Sequence, residues 1–253
     1  MNSIAASNPP ISTYSARRWA GIAFGFGTQV LFLWTVVYLF LFLRYGATRS
    51  YEFGLLVDIL LSIGFALPHS LLLMPSIQKR IKVWLPAGLL GCVHCSVTCI
   101  SLLVMFHFWS FHPMMIWKAS GYGELAILIG FYASWVALFY SLYITGMAYQ
   151  TGLAQWWYWM KRQKPPARVF VETGAYRWMR HPIYMSFLGL IWFTPNMSLD
   201  HVVLTGVWTI YIYVGSYAKD MRMLRFVGET YREYAFRVPG LPIIGFGPLL
   251  RWK

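Results

Sequence analysis

The sequence predicts an all-α fold, a polytopic membrane helical bundle of about six transmembrane helices with a short hairpin between spans five and six. Three observations carry this. Hydrophobic residues make up 58% of the 253 and only 11% are charged, too little charge to cover a soluble surface. The mean hydropathy is +0.52. The apolar residues fall into long runs, and the Lys and Arg residues fall between them.

The first eighteen residues are polar, with Pro9-Pro10 and Arg17-Arg18, and read as a cytosolic tail ahead of one integral domain over 19–253. Span one covers Trp19 to Leu43, too long for the core of a signal peptide and long enough for the roughly 20 residues a crossing needs. Span two covers Gly54 to Leu73 and is closed by Pro75 and the basic cluster Lys79, Arg80, Lys82. Span three covers Leu85 to Trp109 and span four Glu124 to Thr145. A long polar and aromatic connection follows, Gly146 to His181, whose Trp156, Trp157 and Trp159 read as an interfacial belt. Span five runs from Pro182 to Pro195, and span six from His201 to Ala218. The tail from Lys219 is basic and amphipathic.

Charge sets the orientation. With six crossings, eighteen of the 21 Lys and Arg residues fall on one side and only Arg44, Arg49 and Lys118 on the other. The basic side is cytosolic by the positive-inside rule, so both termini are expected in the cytosol. The setting is a cell inner membrane, or the endoplasmic reticulum or nuclear envelope of a eukaryote. The same partition explains the net charge of +13 without nucleic acid, since the basic residues punctuate apolar runs instead of lining one soluble face. Cys92, Cys95 and Cys99 share one helical face inside span three, with His94 opposite. Three thiols fall short of the four ligands of a structural metal, and they read as small, soft packing residues. Gly21 and Gly25, four apart, read as a close-packing face.

Span five is short. Its fourteen residues from Pro182 to Pro195 make about 21 Å of helix at 1.5 Å per residue, against roughly 30 Å of hydrocarbon. The preceding segment, Tyr176 to His181, is thereby drawn to the cytosolic edge. Pro182 suits the first turn of a helix, and the free N–H groups there favour an anion beside Arg180 and His181. The alternative is that Arg180 and His181 only mark the cytosolic boundary. His69, after Pro68 near the inner end of span two, reads either as a site residue facing the bundle or as a helix–helix hydrogen bond. Asp58 is expected to face the bundle, His107 and His112 to lie near the outer boundary, and His201 to cap span six.

The stretch Gly174-Ala175-Tyr176-Arg177-Trp178-Met179-Arg180-His181-Pro182-Ile183-Tyr184 resembles the Gly-x-Tyr-x-x-x-Arg-His-Pro-x-Tyr signature of the isoprenylcysteine carboxyl methyltransferase superfamily. Gly228-Glu229-Thr230-Tyr231-Arg232-Glu233-Tyr234 with Arg237-Val238-Pro239 resembles that superfamily's C-terminal block. Phe65-Ala66-Leu67-Pro68-His69-Ser70, Gly152-Leu153 with Trp156, and Phe193-Thr194-Pro195-Asn196-Met197 with His201 are similar to elements of its methanethiol S-methyltransferase and nurim-like (NnrU-type) branch. The resemblance covers residues 60–242. It implies S-adenosyl-L-methionine as methyl donor, with Tyr176, Arg180, His181, Tyr184 and Asp220 holding it and His69 and Trp156 on the acceptor side. It implies a methyltransferase acting on a small thiol or lipid-like acceptor, or a catalytically silent membrane scaffold of the nurim kind. Chemistry agrees: a helix start with Arg180 and His181 suits the donor's carboxylate, and tyrosine faces suit its sulfonium. The chain departs from the superfamily where a Glu-Glu pair precedes the C-terminal block. Here those positions are Lys219 and Asp220.

Overall fold

The computed structural model describes residues 11–167, 170 and 172–241. Pro9-Pro10, Arg168, Arg251 and Lys253, which entered the reading of tail and charge, lie outside the described residues. The chain runs α1 (Ile11–Tyr45), α2 (Gly54–Leu72), α3 (Pro75–Ile81), α4 (Leu90–Phe108), β1 (Met115–Lys118), α5 (Gly121–Thr145), α6 (Met147–Gln150), α7 (Leu153–Met160), α8 (Pro182–Trp192), β2 (Asn196–Ser198), α9 (Leu199–Val227) and α10 (Glu229–Arg237). Four helical stretches are long and apolar enough to cross a membrane: Ala16–Tyr45, Gly54–Leu72, Ala87–Phe108 and Gly121–Thr145. They match the first four expected spans to within a few residues. The helix of span one begins earlier than its apolar stretch, at Ile11, because nothing in the polar residues up to Arg18 breaks it.

Large apolar side chains on the outer faces, such as Leu33 and Trp34 of α1 and Val136 and Phe139 of α5, are exposed, as lipid-facing helices require. The main core lies toward one end of the bundle, where Phe42 of α1, Phe106 of α4, Phe131 of α5, Leu190 of α8 and Leu204 of α9 meet. Hydroxyl side chains inside the helices satisfy themselves on the preceding turn, as Thr28 does on Phe24 O, and Thr28 Oγ1 also meets Ser96 Oγ at 2.9 Å between α1 and α4. Asp58 is fully buried and accepts the Ser110 N–H at 2.9 Å, so it does face the bundle.

Three features were not expected. A small antiparallel ribbon pairs β1 with β2, joining the connection before α5 to the turn after α8 at the core end. Second, Trp156 does not belong to an interfacial belt. It is 6% exposed, donates Nε1–H to Gly21 O at 3.2 Å, and fills the groove that Gly25 leaves open, where any side chain would collide with its ring. The glycines four apart therefore seat two tryptophans, Trp159 at Gly21 and Trp156 at Gly25, not a second helix backbone. Third, His201 caps the end of α8: its Nε2 lies 3.2 Å from Ile191 O, which also accepts Thr205 Oγ1 at 3.1 Å. These contacts satisfy a terminal carbonyl of an eleven-residue helix, about 16 Å long, that ends well short of a full crossing.

A buried charge cluster joining α8, α9 and α10

Pro182 opens α8 and its fixed φ suits the first helical turn. The two residues before it are tied to the chain's C-terminal block by backbone bonds: Arg180 N–H to Pro239 O at 2.9 Å and His181 N–H to Gly240 O at 3.1 Å. The Arg180 side chain continues the tie. It is 1% exposed, donates Nη1 to Ala235 O and Val238 O at 3.2 and 2.6 Å, and turns Nε and Nη2 onto Asp220 Oδ2 at 3.2 and 2.8 Å. The other carboxylate oxygen accepts the Tyr231 hydroxyl at 2.5 Å. His181 brings Nε2 to 3.1 Å from that same oxygen, too obliquely for a full hydrogen bond. Tyr234, beside Tyr231, donates to Tyr176 O at 2.7 Å.

Asp220 thus meets Arg180, Tyr231 and His181 in a site closed to solvent. Burial alone would raise its carboxyl, but the His181 contact and the Arg180 charge outweigh it and hold the group below the usual carboxylate range. Burial pushes the His181 imidazole below its ordinary value, against the pull of Asp220.

Above this cluster the His181 ring stacks on Tyr184 at 5.4 Å between centroids. Lys219 Nζ lies 5.6 Å from the Tyr176 ring centroid and 5.5 Å from that of Tyr184, within the reach of a cation–π contact. Lys219 follows the apolar part of α9, and burial pushes its ammonium down to about 8. The N–H groups of Ile183 and Tyr184 in the first turn of α8 have no hydrogen-bond partner among the described residues, and neither has His181 Nδ1.

Of the residues the sequence pointed to, Tyr176, Arg180, His181, Tyr184 and Asp220 converge. Two are turned inward upon each other: Arg180 and Asp220 neutralise one another. His69 stands apart from these five, its ring 6.4 Å from that of Tyr211 on α9. Trp156 sits with Leu89 and Cys92 in a separate apolar cluster and makes no contact with the charge cluster. Glu229 pairs with Arg232 at 3.5 Å and Arg237 with Glu172 at 2.8 Å, both at the surface. Nothing in the sequence marks Tyr231 as the partner of Asp220: eleven residues separate them, and the break between α9 and α10 at Gly228 folds the chain back. The cysteines are buried, with Cys95 Sγ and Cys99 Sγ 4.0 Å apart, and no metal-capable group of three His, Cys, Asp or Glu side chains is found among the described residues.

Chemically, the free N–H groups at the start of α8 suit an anionic group, and the rings of Tyr176 and Tyr184 suit a cation, the place that Lys219 occupies. The chain is 30% identical over 200 residues, 76% of each chain, to the methanethiol S-methyltransferase of Crocosphaera subtropica. It is 28% identical over 190 residues to that of Pseudomonas deceptionensis, covering 75% of this chain and 72% of the relative. It is 26% identical to nurim of Danio rerio over 167 residues, 62% of this chain and 60% of the relative. No protein-family model matches the chain, and no solved structure matches it.

Proposed function

Because the chain belongs to the methanethiol S-methyltransferase family, we propose that it is an integral membrane enzyme transferring the methyl group of S-adenosyl-L-methionine to a small thiol of the methanethiol kind. The observation that carries this is the convergence of Tyr176, His181, Tyr184 and Lys219 over the start of α8. The donor supplies an electrophilic methyl on a sulfonium. Ile183 and Tyr184 N–H hold its carboxylate, and the rings of Tyr176 and Tyr184 face its cation. Arg180 and Asp220 act one layer below, holding α8 against the C-terminal block. Methyl transfer needs in-line approach more than proton movement at carbon, so this rigid seat supplies rate through positioning.

The nurim-like scaffold reading has one observation in its favour: a lysine ammonium stands where a sulfonium would. The two readings separate in one assay. Purified protein in detergent, given radiolabelled donor and methanethiol, is expected to bind the donor and release labelled dimethyl sulfide into the headspace. Protein that binds no donor and yields no sulfide would make the scaffold the better description.

We also infer six crossings with both termini cytosolic, α8 and the first part of α9 forming a short final hairpin. The support is the charge partition and the pairing of Lys118 with Asn196, which joins two expected outer loops. Cysteines placed at the exposed positions Lys118 and Arg177 should react with an impermeant maleimide from opposite faces of sealed vesicles, the native cysteines being buried. Labelling of both from one face would refute the six-span arrangement.

A further inference from the structure

Thiol methylation leaves a proton to remove. In the charge cluster Arg180, Asp220 and Tyr231 are engaged with one another, and the proposed function gives the space at His181 and Lys219 to the donor. We propose that His69 takes the thiol proton, that Thr98 and His94 are its positioning residues, and that the acceptor binds beside Gly215, between His69 and Tyr184. This rests on the thiol-methyltransferase reading above.

The hydrogen-bond network fixes the tautomer of His69. The Thr98 hydroxyl donates its only proton to His94 O at 2.8 Å. Toward His69 Nδ1, 3.0 Å away, Thr98 Oγ1 can therefore only accept. Nδ1 carries the ring proton, and Nε2, which makes no hydrogen bond among the described residues, presents a lone pair. An imidazole held in one tautomer by a hydrogen bond on its far nitrogen is the arrangement a general base requires. The His94 ring packs on His69 at 4.8 Å between centroids, and Phe65 on its other side at 5.6 Å, so the ring cannot turn freely.

The groups facing His69 come from the two long helices packed against α2. From α4 there is His94; from α9 there is Tyr211, pinned by its hydroxyl to Ser70 Oγ at 2.8 Å, with the Arg222 charge acting on both histidines. Tyr211, Gly215, Lys219 and Arg222 recur at helical spacing and form one stripe of α9. At one end of this stripe the Tyr211 ring lies 6.4 Å from that of His69, and at the other Lys219 Nζ lies 5.5 Å from the Tyr184 ring, so base and aromatic cage adjoin one face of α9. In the middle of the stripe stands Gly215. A side-chain carbon there would meet only the Tyr184 hydroxyl within 4 Å, at 3.9 Å, which leaves room for a small acceptor.

The step balances without a further reagent. The thiol S–H proton passes to His69 Nε2, the thiolate sulfur forms a bond to the donor methyl carbon, and the sulfonium–methyl bond breaks with its electron pair returning to the donor sulfur. The imidazolium then releases its proton to water.

The test compares wild type, His69→Gln and Thr98→Val as purified full-length protein, with ethanethiol and the more acidic 2,2,2-trifluoroethanethiol as acceptors. S-adenosylhomocysteine affinity is measured on the same samples by titration. General-base removal commonly costs 10²–10⁴ in rate. His69→Gln is expected to lower kcat/KM for ethanethiol by at least about 100-fold at neutral pH. The loss should shrink as pH rises and shrink again with the acidic thiol, because each supplies thiolate unaided; S-adenosylhomocysteine affinity should not change. Thr98→Val should show the same pattern at smaller amplitude. A His69→Gln loss that is equal at every pH and for both thiols, or a loss below threefold, overturns the base assignment while leaving the methyltransferase standing. A fall in S-adenosylhomocysteine affinity in both variants also overturns it, since that marks a structural role. Wild type that binds the donor and methylates neither thiol refutes the acceptor reading and the base together.

Discussion

Asp220→Ala is expected to cost about 3–5 kcal/mol of stability, the range for removing one partner of a buried ion pair and leaving the other charge unmatched. The change strands the Arg180 guanidinium in a site where both side chains are fully enclosed, and it removes the acceptor of the Tyr231 hydroxyl. Since the same side chains hold the start of α8, affinity for S-adenosyl-L-methionine should fall with it, by at least tenfold, about 1.4 kcal/mol. Thermal unfolding in detergent and donor titration are the measurements. Tyr231→Phe removes a single hydrogen bond to a charged group and should cost less, about 1.5–3 kcal/mol. The pH sign follows from the depressed carboxyl. The stability Asp220 contributes is complete above the ordinary aspartate value of about 3.9 and is lost as pH falls through its lower folded value. An Asp220→Ala protein that melts with wild type would mean the cluster does not hold the helices together.

Lys219→Met should change the donor's binding in the opposite direction. The Lys219 ammonium lies over both tyrosine faces, the place the proposed function gives to a sulfonium, and two cations a few ångströms apart repel by several kcal/mol at an effective dielectric near 20. Asp220 offsets part of that charge, while Arg222 and Arg180 add to it. Methionine keeps the length and removes the charge, so S-adenosyl-L-methionine should bind at least tenfold tighter at pH 7, about 1.4 kcal/mol. Lys219→Glu should bind no worse than wild type. Wild-type affinity should rise with pH through about 8, where Lys219 gives up its proton, and the Met variant should lose that rise. Folding stability follows the same sign: the charged lysine is disfavoured in the folded chain, so the penalty is present below about 8 and is relieved as pH climbs from there toward its ordinary value of 10.5. Equal binding at pH 7 and 9, with no gain in Lys219→Met, would put Lys219 outside the donor space.

Much of the bundle was legible from apolar run length alone, because a membrane leaves few alternatives to a helix of about 20 residues. The convergence of Arg180 and Asp220 was legible too, from the two motif blocks. What those side chains do there was not. A motif places Arg180 and Asp220 in one neighbourhood, but only packing reveals that they spend their charges on each other. Trp156 shows the same limit: an aromatic near a boundary has the composition of a belt residue, and only the groove at Gly21 and Gly25 turns it inward. His94 and Thr98 carried a readable signal, four residues apart on one helical face, yet its meaning required His69 from another helix.

The reach of the Arg180–Asp220 pair along the chain has a consequence for biosynthesis. The partners are 40 residues apart, and the carbonyls of Ala235 and Val238 that complete the guanidinium's shell come 55 and 58 residues after it. At about 5–20 residues per second, Arg180 leaves the ribosome roughly 2–8 s ahead of its counter-charge. Through that interval the nascent chain holds an unneutralised guanidinium at the mouth of a helix too short to cross the bilayer. A chain truncated before Asp220 is left permanently in that condition, with every long apolar helix already made.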